Sequence, residues 1–248
     1  MRCGADVMNS LYIEVTAISL LACTFIFGRY LRTPLSAAPR RWLSAAAGVS
    51  VAYVFIRALP EMSEAQDVFT RVTLDRGLPF PERRVYTAAL IGFLLFYGLE
   101  NMVSRSGVRG RAQGEPAVGL TYRLQLGGFA AYAGLVGYLM VHQRSLPTLL
   151  YLIAMTLHFL AVNHSFEREY GSTYDHGGRW ILAAAVLVGG SAGIFTSMSE
   201  ELLATLLGFN SGGVVINSMI MELPTEKEGR FWAFCLGAVG YSLLLLLI

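Results

Sequence analysis

Eight stretches of mostly apolar residues divide this chain, near 9–28, 42–60, 86–104, 122–142, 147–166, 179–198, 201–222 and 231–248. Each approaches the roughly 20 residues that a helix needs to cross a bilayer. Polar and charged residues gather in short clusters between them. A backbone in lipid must satisfy its own hydrogen bonds, which a helix does internally. The pattern predicts an all-α fold, a polytopic membrane bundle of eight transmembrane helices in a single domain, 1–248. The first apolar run, Leu11–Gly28, is followed by Arg29 and Arg32. That arrangement predicts a retained helix rather than a cleaved leader. The seventh stretch is the least apolar, with Asn210, Ser211, Asn217 and Ser218 inside it.

Two of the stretches resemble each other. Leu43–Glu64 aligns without gaps on Leu207–Glu228: Leu43, Gly48, Val51, Ile56, Leu59, Pro60 and Glu64 fall on Leu207, Gly212, Val215, Ile220, Leu223, Pro224 and Glu228. Each reads as an apolar helix closed by Leu-Pro and followed by charge. Internal repeats of this kind decide architecture. With partners at spans 2 and 7, the eight spans divide as 3+2+3. The halves are about 9–104 and 179–248, and the central helices lie at about 122–166. Three spans per half turn the second half over, giving the inverted repeat found in secondary transporters.

Composition agrees with the pattern: 54% of residues are hydrophobic and only 15% charged, where a soluble domain carries about 25%. A net charge of +2 identifies no charged partner, and nucleic acid is not expected. Nearly all the cations are Arg, Lys227 being the single Lys. One side of the predicted membrane receives Arg2, Arg71, Arg76, Arg83, Arg84 and Arg144, the other side the remaining twelve outside Arg57. The richer side is expected in the cytoplasm, with both termini and the acidic 61–85 loop outside. A bacterial cytoplasmic membrane is the expected location. The 105–121 segment reads as a basic, Gly-rich mobile loop, and 61–85 as a loop with a short surface helix ending near Gly77-Leu78-Pro79. Cys3, Cys23 and Cys235 are scattered and form no metal-binding CxxC pair. Gly189-x-x-x-Gly193, Gly208-x-x-x-Gly212 and the glycines Gly127, Gly134 and Gly137 of span 4 predict close helix contacts.

Ionisable groups inside a membrane are costly and are functional candidates by default. Glu14, Arg57, Glu100, Glu200, Glu201 and Glu222 lie near span ends, where they reach the interface. His158 lies mid-span, followed by Asn163, His164 and Glu167. His164 and Glu167 share a helix face, as do Asn163 and Glu167. Imidazole, amide oxygen and carboxylate form a ligand set suited to zinc or another divalent metal, or to proton relay. His158 and His164 are six apart, roughly 240° around a helix, so one helix cannot aim both at one ion. The alternative for each is an ordinary interhelical hydrogen bond or an interfacial position. Ser50, Tyr53 and Arg57 share a face of span 2, and Asn210 and Asn217 a face of span 7. Tyr53 and Asn217 are equivalent positions of the repeat, so the two polar faces are expected to meet centrally.

These residues resemble the ZIP family of divalent-metal transporters. AAAGVSVAYVFIRALPEM is similar to that family's second helix, FLLFYGLENMVSRS to its third, and the segment from Gly189 to the end to its sixth, seventh and eighth. The resemblance covers about 60% of the chain. It implies eight spans in a 3+2+3 inverted repeat with both termini outside. It also implies a divalent metal such as Zn2+ as substrate rather than cofactor. The family carries a paired metal centre on its fourth and fifth helices. Here span 4, YRLQLGGFAAYAGLVGYLMVHQ, has no carboxylate and no His before His142, so a carried-over metal site comprises His158, Asn163, His164 and Glu167 alone. The expected function is divalent-cation transport through an altered or single-metal site, without enzymatic activity. Expected partners are the lipid bilayer and a divalent cation, with a homodimer left open. Two alternatives are a non-transporting scaffold or sensor on the same fold, and a zinc-dependent intramembrane hydrolase using His158, His164, Asp175 and His176.

Overall fold

A computed structural model describes residues 2–28, 39–73, 83–113, 118–142, 148–218 and 230–247. The fold is all-α. Its helices are α1 (Arg2–Phe27), α2 (Pro39–Tyr53), α3 (Leu59–Thr73), α4 (Arg84–Gln113), α5 (Val118–His142), α6 (Thr148–Tyr170), α7 (Arg179–Phe195), α8 (Glu200–Asn217) and α9 (Phe231–Leu246). A π-helical turn, Val54–Ala58, joins α2 to α3, and another, Tyr174–Gly178, leads into α7. Five helical segments, Ser44–Arg71, Arg84–Val103, Gly119–His142, Leu149–Tyr170 and Tyr174–Phe195, are long and apolar enough to cross a membrane. Leu11–Phe27 and Phe231–Leu246 are shorter apolar helices. The chain is an integral membrane protein.

Three sequence expectations change. Leu59-Pro60 does not close the second span, because the helix continues through it to Thr73. A proline in a regular helix lacks a donor and its ring meets the carbonyl four residues back. The preceding π turn widens the ladder: the Leu59 N–H reaches Val54 O, five residues back, so the irregularity is absorbed before Pro60. The 61–85 segment is therefore helical as far as Thr73, and Gly77-Leu78-Pro79 lies outside the described residues. Likewise, 105–113 is not loop but the last turns of α4. No proline interrupts it before Pro116, and its polar residues leave helical propensity intact once a long helix is nucleated.

The surface is apolar, unlike that of a water-soluble bundle, and several polar side chains lie inside. Val188, Phe195 and Trp232 are 69%, 85% and 78% exposed, whereas Ser44, Ser50, Gln125, His158, Asn163, Asn210 and Asn217 are buried. Lipid is as apolar as leucine, so burial of apolar surface does not drive helices together in a membrane, and close packing and polar contacts do. Aromatic rings fill the centre: Phe25, Phe96, Phe129, Tyr132, Phe159 and Phe166 form one continuous core.

The closest helix pairs are α5–α7, α4–α8 and α2–α9. A Cβ added to Gly48 on α2 would overlap Phe234 O and Ala238 N on α9, and one added to Gly237 would overlap Ala45 O. On the other pair, a Cβ on Gly212 of α8 would overlap Ala89 O and Phe93 N of α4, and one on Gly92 would overlap Phe209 O. Gly48 aligns with Gly212 in the sequence repeat, and Ala45 with Phe209. The two interfaces therefore match position for position, with receiving residues four apart in each case. The small-residue motifs of spans 6 and 7 act as expected: Gly189 lies against Gly134, and Gly208 against Val85. Gly127 is different, having nothing within 4 Å of an added Cβ.

Candidate functional site

His158, on α6, is 1% exposed. Its Nε2 is hydrogen-bonded to Tyr132 OH of α5 at 3.0 Å, and the two rings meet edge-on with centroids 5.8 Å apart. Tyr132 is itself packed edge-on against Phe96 of α4 at 5.2 Å. A Cβ on Gly213 of α8 would come within 3.3 Å of the Tyr132 ring, so that glycine makes room for it. Nearby, Tyr53 of α2 meets Tyr151 of α6 edge-on at 6.1 Å, and Tyr241 of α9 donates to Leu150 O at 3.0 Å. Of these tyrosines, Tyr132 is the one in contact with the buried imidazole. Span 4, which offers no acidic ligand, contributes instead a phenol as the partner of His158. The sequence signal for it was a lone hydroxyl-bearing aromatic within the small-residue run GGFAAYAG.

Asn163 belongs to a different cluster. Its Oδ1 accepts from Tyr174 OH at 2.6 Å, and its side chain packs against Gly28 at the end of α1. His164 and Glu167 are half-buried on the same helix, and each has its own interactions. His158 and Asn163 therefore have separate partners rather than a common ligand. Among the described residues no group of three or more His, Cys, Asp and Glu side chains is placed to hold a metal ion. His176 is exposed, with Nδ1 2.7 Å from Ser172 O, and Asp175 is half-buried beside it in the π turn. Both lie away from the core that encloses His158.

Two further groups of polar side chains stand out. On α2 and α8, Ser50 Oγ, Asn210 Oδ1, Asn217 Nδ2 and Ser218 Oγ are buried without a hydrogen-bond partner among the described residues. A buried polar atom left unsatisfied costs about 1–3 kcal/mol. At one end of the bundle, Glu61, Glu64, His142, Ser197 and Glu200 line a cavity of about 500 Å3 together with apolar residues of α3, α5 and α8. His142 stacks on Tyr138 with centroids 4.7 Å apart, and its Nδ1 donates to Tyr138 O at 3.1 Å. That bond assigns the proton to Nδ1 and leaves Nε2 as an acceptor. Glu61 is 7% exposed and sits 3.9 Å from Arg57, so a single carboxylate links the cavity to the buried interior.

Another network ties α4, α5 and α6 together: Tyr170 OH donates to Gln125 Oε1 at 2.5 Å, and Gln125 Nε2 donates to Glu100 Oε2 at 3.3 Å. Glu100, read from sequence as interfacial, is thus a bonded member of the bundle. No family model, curated protein or solved structure matches this chain.

Proposed function

We propose that the protein is a ZIP-like membrane transport protein, built as a 3+2+3 inverted repeat, that carries a divalent cation through an altered site. The observation that carries this reading is the match between the α2–α9 and α4–α8 interfaces. Two halves that pack alike and start from opposite faces favour rocking of one unit against the other around a central site. In the proposed orientation the Arg-rich ends face the cytoplasm. The cavity with Glu61, Glu64 and Glu200 then opens outward, where clustered carboxylates concentrate cations before entry.

From there, Glu61 and the polar side chains Ser50, Asn210, Asn217 and Ser218 offer oxygen atoms in place of a hydration shell. His158 is the deepest nitrogen ligand, and Asn163, His164 and Glu167 are contacts toward the cytoplasm. The protein's part is to bind and orient, with no bond made or broken.

Uptake into liposomes containing the purified protein tests this reading, with Zn2+ reported by a trapped fluorescent chelator. Zinc flux above protein-free vesicles, abolished by His158→Ala and reduced by Asn217→Leu, supports it. No divalent flux from a correctly folded protein in either orientation overturns it. A non-transporting relative of the same fold is the second reading, favoured by the bond that ties His158 to Tyr132 inside an aromatic core.

A further inference from the structure

An open, almost wholly apolar cavity of about 500 Å3 lies at the N-terminal ends of α2 and α9, bordered by Arg41, Arg230, Phe231, Trp232, Ala233 and Leu236. Further along, the two helices are in backbone contact at Gly48 and Gly237, and the Arg230 N–H donates to Ser44 Oγ at 3.1 Å. The cavity is therefore the place where a closely packed pair opens toward its N-terminal end.

Both cations stand at the edge of the apolar zone. Arg41 stands just before the mostly apolar run that starts at Trp42, and Arg230 just before the apolar helix Phe231–Leu246. The remaining lining is apolar, and Phe231, Trp232 and Leu236 are 70%, 78% and 74% exposed on the outer surface. Aromatic side chains at such a boundary sit at headgroup depth. Among the described residues neither guanidinium has a carboxylate within ion-pair distance. The local field adds to this: neither helix has an acid in its first turn, and the start of a helix is itself positive. Among the described residues, positive charge is gathered here with no acid in the first turn of either helix.

We propose that an anionic glycerophospholipid occupies this cavity. Its phosphate meets the exposed Arg41 and Arg230 at the rim, and an acyl chain lies along Trp232 and Leu236. The charge calls for an anion, and guanidinium groups suit phosphate oxygens. The apolar lining at membrane depth selects a lipid over a soluble phosphate. The site requires only that the protein sit in a membrane, and is independent of whether it transports a cation.

Native mass spectrometry of the detergent-purified full chain tests the proposal, with phosphatidylglycerol and phosphatidylcholine added at matched concentrations. The wild type is expected to retain phosphatidylglycerol about thirtyfold better, from two cations near the membrane surface. An Arg41→Gln/Arg230→Gln double variant should bind the two lipids alike, while Arg168→Gln, at an exposed position elsewhere, keeps the preference. If the double variant does not fold, each single variant should lose about fivefold of the preference. An unchanged preference in the folded variants overturns the proposal. So does equal retention of phosphatidylcholine by the wild type, or displacement of the lipid by equimolar glycerol phosphate.

Discussion

The α2–α9 and α4–α8 pairs meet through glycines at matching positions, yet their ends differ in chemistry. Helix α8 begins with Ser199, whose side chain accepts from the Leu202 N–H, followed by Glu200 and Glu201 in the first turn. Its counterpart α2 begins Pro39-Arg40-Arg41, and α9 follows directly on Arg230, neither with an acid in its first turn. The α8 end contributes Glu200 to an acidic cavity, and the α2–α9 end contributes two arginines to the rim of an apolar one. Backbone contact at glycine leaves almost no freedom, because any side chain there meets a carbonyl. Charges at the helix ends lie outside that contact and diverge at little cost in packing. The shared scaffold and the distinct surface functions are thus physically separable.

The comparison breaks most directly at the glycines. Gly48→Leu and Gly212→Leu should each destabilise the protein by about 3 kcal/mol or more, because the obstruction is backbone rather than a movable side chain. Thermal unfolding in detergent, followed by size exclusion, should show similar losses for the two, whereas Gly127→Leu stays near wild type. Tolerance at one glycine and collapse at the other would end the equivalence of the two pairs.

A second effect is expected between them, on α5 and α6. His158→Ala removes a buried ring together with its bond to Tyr132 and should cost about 2–4 kcal/mol. Tyr132→Phe should cost about 1 kcal/mol, and a double-mutant cycle should return a coupling of that order. Zero coupling would mean that the pair is adjacent without being bonded.

Asn217 and Tyr53 are equivalent by alignment, and Asn217 Nδ2 is buried without a hydrogen-bond partner among the described residues. Asn217→Leu should raise the melting temperature, by about 1 kcal/mol of stability, because an unpartnered amide is removed from the interior. The same change should lower cation flux. A variant that loses stability instead would show Asn217 to be part of the packing. Smallest of all is the ion pair at the entrance to the interior. Arg57→Gln should cost about 0.5 kcal/mol, and because Glu61 is buried the difference should change little as salt is raised.

Several features were legible in the sequence because they depend on neighbours in the chain. Most of the described length of each predicted span is helical, and Gly48 and Gly212 each lie against the backbone of a neighbouring helix. The end of the second span was misjudged at Pro60, since a proline marks a stop unless a wider turn precedes it. The candidate site was read less completely. Mid-span position singled out His158, but its partner Tyr132 carries no metal-binding signature. Asn163 lies only five residues from His158 yet is turned toward Tyr174 and Gly28.

Hydropathy and small-residue spacing are local properties, and by themselves they determined the helices, their membrane setting and which faces come close. The choice of partners is not local. Tyr132 and His158 are 26 residues apart, and the Arg230 N–H meets Ser44 Oγ across 186 residues. Such meetings depend on how the helices are aligned and rotated against one another, which the summed packing of the bundle decides. Only the tertiary structure, therefore, placed the acidic cavity and the arginine-rimmed one at their ends and enclosed His158 among aromatic rings.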